Sequence, residues 1–123
     1  MTGKQVLFLL LAIAGAVLTW YHNYQYMLVS DGVFSVADFI AGGMANPAAA
    51  SLTMDIGIAA TTGFIWMFFE SRRLGMKYIW AYLISGCFIA FAFAFPLFLM
   101  MRERKLVELE SQGQPRVIAA AAA

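Results

Sequence analysis

Charge is what this chain has least of. Lys, Arg, Asp and Glu together make up 12% of 123 residues, about half the ~25% typical of a soluble domain. That scarcity excludes a well-solvated globular surface, and a formal net charge of +1 gives no basis for nucleic acid or another polyanion as partner. Cysteine is nearly absent too. The single Cys87 lies in an apolar run, has no intramolecular disulfide partner, and reads as a small hydrophobe. With one histidine, His22, the chain alone has no two-histidine haem site, and no HxxH or CxxC spacing accompanies it. Prolines number three: Pro47, Pro96 and Pro115, each a point where a helix starts, bends or stops.

What is there in quantity is apolar surface. Hydrophobic residues are 63% of the chain, the mean hydropathy is +0.77, and the composition is that of an integral membrane protein contacting lipids. Three segments are long enough to cross a hydrocarbon core of about 30 Å: residues 5–26, 48–69 and 78–101. The N-terminal run passes into a Trp/Tyr belt and carries Ala-Gly-Ala in its middle, so it reads as a retained helix and not a signal peptide. Between the first two spans, "LVSDGVFSVADFIAGGMANP" is too short and polar to cross. It predicts an interfacial or re-entrant helix over 31–43, capped by Ser30 or Asp31 and broken by Gly42-Gly43. The expected fold class is an all-α membrane protein, with three transmembrane helices and this short helix between the first and second. Residues 1–101 form the membrane domain and 102–123 a polar C-terminal tail, helical to about Glu110 and ended by Gly113 and Pro115. The terminal alanine run carries no signal.

Local detail follows from the same rules. Asn46 precedes Pro47 as an N-cap before N1 proline. "ESRRLGMK" is short enough to make spans two and three an antiparallel hairpin. Pro96 removes one backbone hydrogen bond and predicts a bend near Ala92. Small residues four apart predict close helix packing: Ala12 and Ala16, Ala59 and Gly63, and Gly86, Ala90 and Ala94. The positive-inside rule puts Arg72, Arg73 and Lys77 in the cytoplasm with the N-terminus. Three crossings then leave Arg102, Arg104 and Lys105 on the opposite side, against that rule.

The residue most out of place is Asp55, in "NPAAASLTMDIGIAATTGFIWMFF". A carboxylate inside a span costs about 2.5–3.5 kcal/mol on insertion scales, so it must be neutralised, paired or wetted. Ser51, Asp55, Ile58 or Ala59, and Thr62 fall on one helical face, and the expectation is that this face turns inward, with Asp55 satisfied by side chains of the first span and the short helix. Glu70 lies 15 residues further on, about 22 Å away along a helix. The two cannot form a catalytic pair, and Glu70 is expected to meet a nearby arginine or Lys77 at the surface for under about 1 kcal/mol. His22 is a possible ligand for a pigment metal or haem. Phe88, Phe91, Phe93, Phe95 and Phe98 around the Pro96 bend are expected to face lipid or a partner first, and offer contact for a quinone, carotenoid or pigment tail second.

Several of these residues also carry a resemblance. The "D-F" of Asp38 and Phe39, the "A-N-P" of Ala45 to Pro47, Asp55, the block "F-x-x-E-x-R-R-L-G-M-K" from Phe68 to Lys77 and "F-P-L-F-L-x-x-R-E" from Phe95 to Glu103 together resemble a family of small bacterial membrane proteins catalogued as domain of unknown function 2834. The first span's exit, "WYHNYQYM", and the long tail depart from that pattern. The resemblance implies three spans in a bacterial cytoplasmic (inner) membrane. It makes Asn46, Asp55, Glu70 and Arg73 part of the family pattern and assigns none of them a role. The functional expectation is a multi-pass, non-catalytic accessory or structural subunit, packing in a larger membrane complex or homo-oligomer. Two alternatives stand beside it: a subunit holding a pigment or hydrophobic cofactor through His22 and the aromatics, and an intramembrane enzyme on an isoprenoid or lipid with Asp55 as acid.

Overall fold

The computed structural model describes residues 1–113, so Pro115 and the alanine run lie outside it. Among the described residues there are five helices and no strand: α1 (Gly3–Val29), α2 (Val36–Gly43), α3 (Pro47–Leu74), α4 (Ile79–Phe88) and α5 (Phe91–Ser111). Two of them, α1 with 27 residues and α3 with 28, are long and apolar enough to cross a membrane.

The first three helices start where the sequence supplies side-chain acceptors for free amides. Thr2 and Gln5 form a reciprocal capping box on α1, which occupies two otherwise unpaired N–H groups. Asn46 accepts from the Ala49 amide at 2.9 Å with Pro47 at the first position of α3, as the sequence predicts. The short helix is capped by Ser35, not by Ser30 or Asp31, which with Gly32 form the turn leaving α1; α2 therefore starts at Val36 and not near residue 31. Gly75 ends α3 in the left-handed region at φ 66°, a conformation glycine adopts without the penalty a Cβ brings.

The third expected span, 78–101, is not one helix. The chain breaks at Ile89 and Ala90, and α5 folds back along α4. Tyr82 meets Phe98 with ring centroids 5.5 Å apart, and a Cβ placed on Gly86 would lie 3.3 Å from that of Ala94. Gly86, Ala90 and Ala94, expected as a stripe on one helix, instead sit on the two arms and the tip of a hairpin, where small side chains let the arms close. The break precedes Pro96 by six residues, whereas the sequence predicts a bend near Ala92. Pro96 lies inside α5, and the carbonyl it leaves without an amide donor is that of Ala92. That carbonyl faces α1 at Gly15, where an added Cβ would come within 2.1 Å of the oxygen. Two backbones therefore touch there, and the proline-freed acceptor is positioned for a Cα–H contact, a weak interaction that recurs at helix interfaces.

α5 is the hub. It packs most extensively on α1, then on α4 and α3, while α1 and α3 do not pack directly on each other among the described residues. Pairings along α3 run Phe64 to Phe91, Trp66 to Phe95 and Phe98, and Glu70 to Arg102, so α3 and α5 are parallel. α4 runs against α3, with Phe64 against Gly86 and Phe68 near Trp80; the expected turn after α3 holds. At the other end Tyr26 of α1 clusters with Phe34 and Phe39 at 5.5 and 5.2 Å, and the Thr53 hydroxyl donates to the Gly43 carbonyl at 2.8 Å. The end of α1 and the start of α3 are thus joined through α2, which makes α1 and α3 antiparallel. From Thr53 to Gly63, where Phe91 seats, is about 15 Å of helix. The hairpin tip therefore stops roughly halfway along α3.

Candidate functional site

Two constellations on α3 stand out, one closed and one open. The closed one surrounds Glu70, which is 6% exposed. Arg73, one turn on, donates through Nε to Oε2 at 2.7 Å and through a second nitrogen to Oε1. Arg102 of α5 donates through Nε to Oε1 at 2.6 Å. Its guanidinium lies 5.7 Å from the centre of the Trp66 ring and 3.6 Å from Glu103, which is itself buried.

This differs from the surface pair the sequence suggests. The carboxylate is withdrawn from water, both of its oxygens accept charge-assisted hydrogen bonds, and one donor comes from 32 residues away. Burial removes hydration from the charge, and two guanidinium donors replace it. With its oxygens so occupied, Glu70 serves as a clamp between α3 and the hairpin and not as a base. Below it Leu74 and Leu106 are buried together, with Met76 and Leu109 against them. Arg102 was not singled out from the sequence as Glu70's partner. The signal available for it was the second arginine-glutamate pair at the end of the next apolar run.

The open constellation is the polar line of Ser51, Asp55 and Thr62. All three are exposed, as are Ile58 and Ala59 beside them. Asp55 makes no hydrogen bond or ion pair among the described residues, and α1, expected to supply its donors, does not reach α3. The expectation of an inward-facing, satisfied carboxylate is therefore corrected. The hairpin that fills the space between α1 and α3 ends below this level, and among the described residues it is the end of α2 that meets the upper part of α3, at Thr53.

The remaining candidates separate. Asn46 caps α3. His22 is exposed near the end of α1, edge-on to Tyr21 at 5.2 Å. The five phenylalanines do not converge: Phe98 is fully buried, Phe88 is exposed beside the hairpin tip, and Phe91 and Phe95 stack at 5.2 Å. These two line an apolar groove of about 310 Å³ against Leu11, Gly15 and Leu18 of α1. Among the described residues no group of three His, Cys, Asp or Glu side chains is placed to hold a metal ion.

Taken together, the geometry defines a small all-helical protein with two helices of membrane-crossing length, an ion-clamped helical hairpin between them, and an unpartnered acidic face. The chain belongs to the family described as Protein of unknown function DUF2834, whose model matches residues 7–104. That range takes in the Glu70 clamp, Asp55 and the whole hairpin turn. No curated protein and no solved structure matches the chain.

Proposed function

We propose that the chain is a non-catalytic membrane subunit that docks a helix of another membrane protein on the open face of α3. The observation that carries this reading is Asp55: an unpaired carboxylate on the exposed side of an apolar helix of spanning length. Ionisable groups at that depth almost always face protein or a water-filled cavity, and the described residues supply no partner. Self-pairing through the same face would bring two Asp55 carboxylates together, which is unfavourable for like charges. A different helix bearing a cation, hydroxyl or amide donor satisfies the group better.

The topology that goes with this reading has two crossings, α1 and α3, and a hairpin entering about halfway. It removes the conflict of the three-span arrangement. Lys4, Arg72, Arg73, Lys77, Arg102, Arg104 and Lys105 all lie at one end, while the turn and α2 at the other carry Asp31 and Asp38. The positive-inside rule makes the basic end cytoplasmic, in a bacterial inner membrane. Single cysteines at Gly32 and Ser111 in a Cys87→Ser background distinguish the two arrangements. An impermeant thiol reagent added outside intact cells is expected to label Gly32→Cys and spare Ser111→Cys; labelling of both restores three crossings.

Docking itself is tested by mild extraction of the native protein, followed by size measurement. The wild type is expected in a complex containing a second polypeptide, and Asp55→Leu to run as the free chain. A monodisperse wild-type monomer, or an Asp55→Leu complex of unchanged size, overturns the reading; a pure homo-oligomer overturns its hetero-partner.

A second reading, a subunit holding the tail of a quinone or carotenoid, is favoured by the apolar groove between α1 and α5. His22 is not among its walls. An absorption spectrum or organic extract of the purified protein decides it.

A further inference from the structure

We infer that the cytoplasmic mouth of the hairpin is a binding site for the phosphate headgroup of an anionic membrane lipid. Between the turn at residues 75–78 and the outer face of α5 lies a groove of about 560 Å³, large enough for a phosphodiester and its glycerol and larger than a phosphate ion needs. Lys77 stands on one wall, and Arg104 and Lys105 on the other. Lys77 and Arg104 are exposed, and neither forms an ion pair among the described residues. Lys105 is held by Glu108 at 3.0 Å, so the groove keeps an excess of two positive charges.

Three further features suit a lipid. Tyr78, on the groove wall, is the N-cap of α4 in the left-handed conformation, and no side chain caps that helix's first amides. The positive end of the α4 dipole therefore lies beside the groove, where it favours an anion. Tyr82 and Met101 give the floor apolar area on which a glycerol backbone and the start of an acyl chain can lie. The depth is right as well: Arg104 follows Arg102 of the clamp by two residues, at the end of the apolar half of α5. Basic pockets between helices on the cytoplasmic side are where anionic headgroups bind.

This inference rests on the membrane topology proposed above, and its test reads something else. Protein in a neutral detergent is titrated with phosphatidylglycerol, phosphatidylcholine or inorganic phosphate while thermal unfolding is followed. Phosphatidylglycerol is expected to raise the midpoint saturably, and the other two to have little effect. The double variant Lys77→Gln/Arg104→Gln, both exposed positions, is expected to bind about 25-fold more weakly, two contacts each contributing about a factor of five. Arg72→Gln removes an exposed cation that faces Phe68 and lies outside the groove, and is expected to bind as wild type. Equal weakening by Arg72→Gln means diffuse surface charge and overturns the site. So does an equal response to phosphatidylcholine, or none to phosphatidylglycerol. An equal response to inorganic phosphate makes it a soluble-anion site and overturns the lipid. Labelling that supports two crossings beside a failed titration overturns the site and leaves the topology standing; labelling that restores three crossings puts Lys77 and Arg104 on opposite sides of the membrane and overturns both.

Discussion

The two halves of α3 differ in surroundings as they do in composition, the first rich in small residues and free of aromatics, the second carrying Phe64, Trp66, Phe68 and Phe69. From Gly63 to Leu74 the helix touches both arms of the hairpin, and Met67, Glu70, Ser71 and Leu74 are buried. Among the described residues, none from Pro47 to Thr62 is buried, and the tertiary hydrogen bond this half makes is Thr53 to the Gly43 carbonyl. Yet the exposed half contains the unpaired acid and the closed half the ion clamp. The difference teaches that the charge whose partners are built into the chain is the one near the water boundary. The charge deeper along the span has been left open. A chain evolving only to fold would place its costly group where neighbours exist.

Breaking the closed half gives the largest expected effect. Glu70→Gln leaves the Arg73 and Arg102 guanidinium groups beside a neutral side chain, and loss of one partner from a buried pair costs about 3–5 kcal/mol. Because Arg102 keeps some contact with solvent, the expected loss lies near ~3 kcal/mol. It is read as a lower unfolding midpoint by circular dichroism in detergent. A matching Asp55→Asn is expected to leave the midpoint of the isolated chain nearly unchanged. If both variants behave alike, the contrast between the halves is wrong. A double-mutant cycle of Glu70→Ala with Arg102→Ala sharpens it, since coupling between the two must exceed the ~1 kcal/mol ceiling of exposed pairs.

Next in size is Gly15→Ala. The added methyl would overlap the Ala92 carbonyl, a backbone atom that cannot rotate away, so α1 and α5 must separate. Overpacking of this kind costs about 1–3 kcal/mol, and the expected readout is a lower midpoint together with faster hydrogen exchange in both helices. Gly63→Ala is expected to be milder, because its Cβ would meet the Phe91 ring, a side chain with room to swing.

How much of this was legible in the sequence depends on the range of the physics. Caps, glycine stops and long apolar runs are local, and Asn46, Pro47 and Gly75 act as their residue types require. The hairpin was not legible because 78–101 satisfies the length and hydropathy of a span. Its break at Ile89 and Ala90 arises from tertiary fit, the arms closing across Gly86 and Ala94, and Pro96 marked only the neighbourhood. Gly15 was visible as the centre of Ala-Gly-Ala, but not as a contact, since that depends on a carbonyl 77 residues away. For Glu70 the charge pair could be read and its burial could not. For Asp55 the cost of the group could be read, but which helices would reach it could not.

The smallest expected effect separates the open face from the rest of its helix. Gly57 also lies in the exposed half of α3, and a Cβ there would meet nothing within 4 Å. It is two residues from Asp55, so its side of the helix is turned about 200° away from the polar line. Replacing a helix-interior glycine by alanine removes backbone freedom from the unfolded chain and is favourable by up to about 1 kcal/mol. Gly57→Ala is therefore expected to raise the midpoint slightly and to leave the extracted complex intact, whereas Asp55→Leu dissolves the complex. Should Gly57→Ala release the partner as well, docking uses both sides of the helix. The acidic line would then be only part of a surface that encircles the upper half of α3.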